Sequence, residues 1–233
     1  MTLETLETLE TLETMMDAMF SQLVMLGGSG MLLTGLIVLW RKHVPAYISA
    51  YRWQAWLLAA VTATVGYFGG DWRLYVVAGV LVALKGIAIP ALLRAMQLRF
   101  GKQPQITPYV NTETSLLVAG LLVLFAYVLA RPWVAVTDLP TREGLPLAMA
   151  LLFVSLFIIV SRRKAITQVI GFLMLENAIA LLAAVGTYGV PLLVEVGVFL
   201  DALMGFLVMQ IFAYQIHDTF DTIDVEQLTR LRH

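Results

Sequence analysis

The stretch "QVIGFLMLENAIALL", residues 168 to 182, decides the fold, because it places Glu176 and Asn177 inside an otherwise almost wholly apolar run. Roughly 20 apolar residues in succession span the hydrocarbon core of a bilayer. The apolar run extends from about 165 to 187. At a rise of ~1.5 Å per residue, Glu176 then lies ~15 Å into the span. An ionised side chain at that depth costs at least about 2.5–3.5 kcal/mol. Residues of this kind face other protein or a wet cavity, where they carry ions or protons or lock helices together.

The composition agrees with a bilayer as the solvent. Of 233 residues, 60% are hydrophobic and 13% are charged, against about 25% charged in ordinary soluble domains. A soluble fold of this length could not hide so much apolar surface. The net charge of -1 argues against nucleic acid as a partner. The chain has no Cys, which excludes disulfides and cysteine-ligated iron–sulfur clusters. His43, His217 and His233 are scattered and offer no ligand spacing. Redox chemistry associated with this protein therefore belongs on other chains, and the chain is not expected to be catalytic alone.

Seven stretches are long enough to span, at approximately 18–40, 53–70, 73–95, 114–131, 145–161, 165–187 and 190–216. The expected class is all-α: a polytopic membrane protein of about seven transmembrane helices. Basic residues follow the odd-numbered spans: Arg41, Lys42 and Arg52, then Arg94, Arg99 and Lys102, then Arg162, Arg163 and Lys164. The other connections hold Asp71 with Arg73, then Arg131 and Arg142 with Asp138 and Glu143, then the uncharged "GTYGVP". Basic loops face the cytoplasm, so the N-terminus is expected outside and the C-terminus inside the cytoplasmic membrane.

The domain plan follows from these spans. Residues 1–17 form a polar extension, in which Leu-Glu-Thr recurs four times. Its Glu4, Glu7, Glu10 and Glu13 do not suit a secretory signal. A period of three makes no lasting apolar stripe on a helix, so a solvated, frayed segment is expected. Residues 18–113 form a three-helix membrane unit with the cytoplasmic loop "RFGKQPQITPYVNTE". The fourth helix and an outer loop occupy 114–144, a second three-helix unit 145–216, and a polar cytoplasmic tail 217–233.

Lys85, Glu176 and Asp201 come near the midplane together, the amide Gln54 also lies inside a span, and Glu195 lies shallower. Acids and an ammonium at one depth suit proton transfer, because each is sensitive to the charge of its neighbour. The alternative role is structural, with Lys85 neutralising an acid, Gln54 and Glu176 bonding between helices, and Glu195 reaching the outer surface. Pro90 cannot donate to the carbonyl of Gly86, beside Lys85; the freed carbonyl could hold a water, or the helix could simply kink. The halves also align: laying Arg41-Lys42 over Arg163-Lys164 brings Gln54 onto Glu176, and with about six extra residues Lys85 meets Asp201.

The last three spans resemble the K subunit of respiratory complex I, in the basic pair, Ile170-Gly171 and Asn177-Ala178 of "SRRKAITQVIGFLMLENA" and in "LDALMGFLV" around Asp201. Leu173 stands where that family has its acid, and Glu176 lies one turn later. Residues from about 20 onward resemble the hydrogenase-4 component E family through "YRWQ", "LKGIAIPALL", "MLENA", "PLLVEVG", the Asp201-Ala202 pair and "IDVEQLTRL". The resemblance implies a non-redox membrane subunit of a complex I-related assembly, contributing to proton translocation through Glu176, Asp201, Lys85, Glu195 and Gln54. It also implies antiporter-like and redox-arm subunits as partners, with the nickel–iron centre and iron–sulfur clusters in those partners and no cofactor in this chain. Two other roles stay open: an adaptor joining antiporter-like subunits to the redox arm, and a subunit of a multisubunit cation/proton antiporter.

Overall fold

The computed structural model describes residues 3–99, 110–136, 141–162 and 165–187, all within a compact unit that runs from Met1 to Glu195. Every described element is helical. In order they are α1 (Leu3–Trp40), α2 (Val44–Gly69), α3 (Arg73–Leu81), a π-helical turn (Val82–Ala88), α4 (Ile89–Arg99), α5 (Thr112–Val136), a short 3-10 turn (Arg142–Gly144), α6 (Leu145–Ser161) and α7 (Ala165–Thr187).

Five of the helical segments are long and apolar enough to cross a membrane: Glu10–Trp40, Arg73–Ala95, Thr112–Val136, Arg142–Ser161 and Ile166–Gly186. The protein is accordingly a helical membrane protein. The second expected span, 53–70, falls within α2, which starts earlier and is 26 residues long but is not among those five. Its polarity has a structural reason. Val44, Tyr47, Ile48, Tyr51, Gln54, Ala55, Leu58, Val61, Thr62 and Val65 of α2 are all buried, because α2 packs against α1, α3, the π turn, α4 and α7. Gln54 and Thr62 are hydrogen-bonded on that buried side, and the other side of α2 carries the exposed Trp53, Trp56 and Tyr67, whose polar ring groups lower its apolarity. The seventh expected span, 190–216, lies outside the described residues.

α5 shows the opposite case. It packs mainly on α6 and leaves Leu117, Leu121, Leu124, Phe125, Val128 and Trp133 exposed. Such a broad apolar face is suited to lipid.

Local chemistry sets the helix ends. Pro45 stands in the first turn of α2, where a missing N–H is tolerated. Gly70 ends α2 at φ 66°, and its N–H bonds the carbonyl of Gly66; a left-handed cap of this kind favours glycine. One carboxylate oxygen of Asp71 then accepts from the N–H of Arg73 at 2.9 Å, opening α3. Where α1 crosses α2, a Cβ on Gly27 would collide with Val61, and one on Gly30 would come within 3.0 Å of Leu57. Small residues here let the two backbones approach closely.

The beginning of the chain departs from its sequence reading. Residues from Leu3 continue α1 without a break, where a frayed segment was expected. Thr11 and Thr14 donate their hydroxyls to the carbonyls of Glu7 and Thr11, at 2.7 and 2.9 Å, within the helix. Leu12, Met15, Met16 and Met19 are exposed, and Phe20 is the first fully buried side chain of α1. The Phe20 ring packs 4.8 Å from that of Phe68, in the last turn of α2. Among the described side chains, those of α1 before Phe20 are exposed.

Candidate functional site

Glu176 lies 11 residues from either end of α7, or ~17 Å at ~1.5 Å per residue. Its carboxylate oxygen Oε2 is 3.6 Å from the Nζ of Lys85, and both side chains are largely buried. The ammonium also donates to Oδ1 of Asn177 at 3.0 Å. Asn177 in turn donates through Nδ2 to Oε1 of Gln54 at 3.2 Å. Gln54 Nε2 reaches the Met31 carbonyl at 3.2 Å and the Thr34 hydroxyl at 3.4 Å. The Thr34 hydroxyl donates to that same carbonyl at 2.6 Å. A continuous polar chain therefore crosses the middle of the bundle, from α7 through the π turn, back to α7, then to α2 and α1.

The amides hold fixed orientations in this chain. Lys85 has only protons to give, so the oxygen of Asn177 must face it. That leaves the Asn177 NH₂ to face the Gln54 oxygen, and the Gln54 NH₂ to face α1. Each amide has one acceptor and one donor side, so a single ammonium sets the polarity of the row.

The π turn is what brings Lys85 inward. The N–H of Ile89 bonds the carbonyl of Leu84, one residue further back than in an α-helix. In an α-helical register the Pro90 ring would clash with the carbonyl four residues earlier. The wider turn relieves that clash and rotates Lys85 and Gly86 to the buried side. Sequence reasoning placed a freed carbonyl or a kink at Gly86. The structure has instead a longer hydrogen-bond register over seven residues. Gly86 is held close to Trp56: a Cβ there would lie 2.6 Å from the indole Nε1. The backbone of the turn can approach α2 only without a side chain at that position.

Of the expected site residues, the structure brings Gln54, Lys85 and Glu176 into one cluster. Glu195 and Asp201 lie outside the described residues. Asn177 and Thr34 complete the cluster, and neither belonged to the expected set. Asn177 had a visible signal, as an amide in a span, adjacent to an acid. Thr34 had none, since Thr often bonds its own helix and occurs throughout apolar helices.

The cluster places a buried ion pair at the middle of the bundle. An ammonium and a carboxylate 3.6 Å apart attract strongly where the dielectric is low, and removal of either partner leaves the other buried alone.

Fold and site together define a polytopic helical membrane protein with an ion pair and an amide chain buried inside it. The chain is 35% identical, over 93% of its own length and 99% of the relative's, to the uncharacterized protein Rv0085 of Mycobacterium tuberculosis. It belongs to the same family as that protein. It is also 27% identical to hydrogenase-4 component E of Escherichia coli K12 and of Shigella flexneri, over 87% of this chain and 94% of theirs. That relation is more distant, and it spans nearly the whole of both chains. No family model matches the chain, and no solved structure matches it at a significant level.

Proposed function

We propose that the chain is a non-redox membrane subunit of a complex I-related assembly, of the hydrogenase-4 or formate hydrogenlyase kind, and that it contributes to proton translocation. The observation that carries the reading is the Lys85–Glu176 pair, buried at mid-depth and continued by Asn177, Gln54 and Thr34. A pair that is expensive to bury is best explained by a charge that has to change there. The near full-length relation to hydrogenase-4 component E supports the kind of complex. Redox turnover in partner subunits, which would carry the nickel–iron and iron–sulfur centres, shifts a charge or loop near this subunit. The altered field changes the proton affinity of Glu176, Asp201 and Lys85, with Gln54 and Glu195 in support.

In this reading the chain crosses the membrane seven times, with spans five to seven forming a unit like the complex I K subunit. Arg41, Lys42, Arg94 and Arg162 face the cytoplasm, following the basic-inside rule. Reporter fusions within 41–52 and after His233 should both report cytoplasm; an outside signal from either would refute the topology.

The adaptor reading has one observation in its favour. Lys85 donates to Asn177 and Asn177 to Gln54, and such a run of bonds between helices also describes interhelical glue. The separating experiment is proton translocation in sealed vesicles, normalised to assembled complex. The Glu176→Gln, Asp201→Asn double variant keeps size and hydrogen bonding but cannot exchange a proton. Lost pumping with redox turnover retained supports conduction, and pumping at the wild-type ratio supports the adaptor. Purification through a tag on this subunit identifies the complex: a nickel–iron subunit should accompany it, and its absence would point to another partner, including a cation/proton antiporter.

A further inference from the structure

Tyr47, Tyr51 and Gln54 lie on one stripe of α2, at spacings of four and three residues, and all three are fully buried. Tyr47 stands three residues into the helix, and Gln54 seven residues, ~10 Å, deeper. Over Tyr47 sits Arg162, at the end of α6, with its guanidinium 5.7 Å from the ring centroid. Arg162 is 1% exposed and donates through Nη2 to the Leu39 carbonyl at 3.0 Å. Its own carbonyl accepts from Gln168 Nε2 at 2.8 Å. Ser155, seven residues before Arg162 on α6, is fully buried, and so is Thr167 near the start of α7.

Three of these polar atoms, Tyr47 Oη, Arg162 Nε and Ser155 Oγ, have no hydrogen-bond partner among the described residues. Buried polar groups are nearly always satisfied, and where protein does not serve, ordered water does. The opposite half of the bundle differs. Beyond Gln54 the α2 stripe continues with Leu58, Thr62 and Val65, and it is accompanied by Leu181 and Val185 of α7, Leu147 of α6 and Val24 of α1, all buried. The Thr62 hydroxyl donates to the Leu58 carbonyl of its own helix at 2.9 Å and the buried Thr141 hydroxyl to the Val185 carbonyl at 2.6 Å, so both hydroxyls of this half have a protein partner.

We propose that Arg162, Tyr47, Ser155 and Tyr51 line a one-sided, water-bearing path between the basic end of the bundle and the Gln54–Asn177–Lys85–Glu176 chain. This deepens the proton-translocation reading and rests on it for its purpose. The phenol and serine hydroxyls can each accept a proton on one side and donate on the other, so water and hydroxyls together form a relay directed at Lys85 and Glu176. The amides beside them orient its end and do not themselves exchange a proton. Arg162, fixed by Leu39 and Tyr47 at the mouth, keeps a positive charge where the path opens.

The chain contains no Cys, so single cysteines can test access directly within the assembled complex. Tyr51→Cys and Ser155→Cys probe the path; Leu58→Cys and Leu181→Cys probe the far half. Silver ion, small enough to follow a file of waters, is added to one face of sealed vesicles. Protection of the lone thiol in this subunit is then read by maleimide labelling after denaturation. The path cysteines should react at least about tenfold faster than the far-half pair, since a thiol in dry apolar surroundings is inert. They should do so only from the face that carries Arg41. Equal rates at all four positions, faster reaction from the other face, or no reaction at Ser155→Cys would each overturn the proposal. Ser155→Cys exchanges one atom and keeps the test valid where Tyr51→Cys does not assemble. Pumping by the Glu176→Gln, Asp201→Asn variant bears on the function alone, so the two claims fail separately.

Discussion

The two halves of the bundle, one running from Gln54 toward Arg162 and the other from Leu58 toward Val185, are built by the same helices with opposite chemistry. On the first, Tyr47, Tyr51, Ser155, Thr167 and Arg162 are buried beside apolar side chains such as Ile48 and Ile158; on the second, Leu58, Val65, Leu147, Leu181 and Val185 are buried with Thr62 and Thr141, whose hydroxyls bond backbone carbonyls. Hydrocarbon walls cost nothing in the second half, whereas every polar atom in the first has to find a partner. A helix that changes character at its middle, on one unbroken stripe, marks the buried ion pair as the boundary between a wet side and a dry side.

The largest expected effect comes from the boundary itself. Lys85→Met removes the ammonium that Glu176 and Asn177 share, and an abandoned buried charge costs about 3–5 kcal/mol. The complex should melt well below the wild type in detergent. Adding Glu176→Gln should restore much of the loss, because the acid no longer needs a counter-charge. A double variant no more stable than Lys85→Met would mean that the pair is not what holds this level of the bundle.

A smaller loss is expected when the amide row is cut. Gln54→Leu extends the dry stripe across the boundary and takes away the acceptor of Asn177 Nδ2. An unpartnered buried donor costs about 1–3 kcal/mol, to be read from the same melts. Tolerance of Gln54→Leu would blur the boundary and place the wet side elsewhere.

The close crossing of α1 and α2 gives the next test, in the far half. Gly27→Val collides with Val61, and overpacking of this sort costs about 1–3 kcal/mol. The companion change Val61→Ala should recover part of it. Full stability of Gly27→Val alone would show that the helices are less closely packed there.

The smallest effect belongs to Thr62→Val, which removes the hydroxyl of the far stripe. That hydroxyl serves only the Leu58 carbonyl of its own helix, so the change should stay under about 1 kcal/mol and leave proton translocation at the wild-type rate. A clear loss of translocation would show that the far half is wet as well.

Much of this was legible in the sequence, for reasons of cost. Apolar runs of membrane length announce helices, because a backbone in lipid must bond itself. Lys85 and Glu176 stood out because a charge in such a run is rare and expensive. Gln54 stood out as an amide within a span, and Asn177 joins it directly. The polarity of α2 was harder to interpret, and the expected span began nine residues after the helix does. Tyr47 and Arg52 look like the flank of a span when the helices around them are unknown.

What the sequence determined by itself is therefore the solvent, the helical class and the few residues whose burial needs an explanation. Tertiary structure alone decided which of those residues meet. Helical periodicity gives the face of each side chain within its own helix, but the register between helices depends on crossings such as that at Gly27 and on the π turn ahead of Pro90. That turn adds one residue to a hydrogen-bonded ring and rotates everything beside it. Lys85 thereby meets Asn177, 92 residues away in the chain, through a change in backbone register that no periodic pattern records.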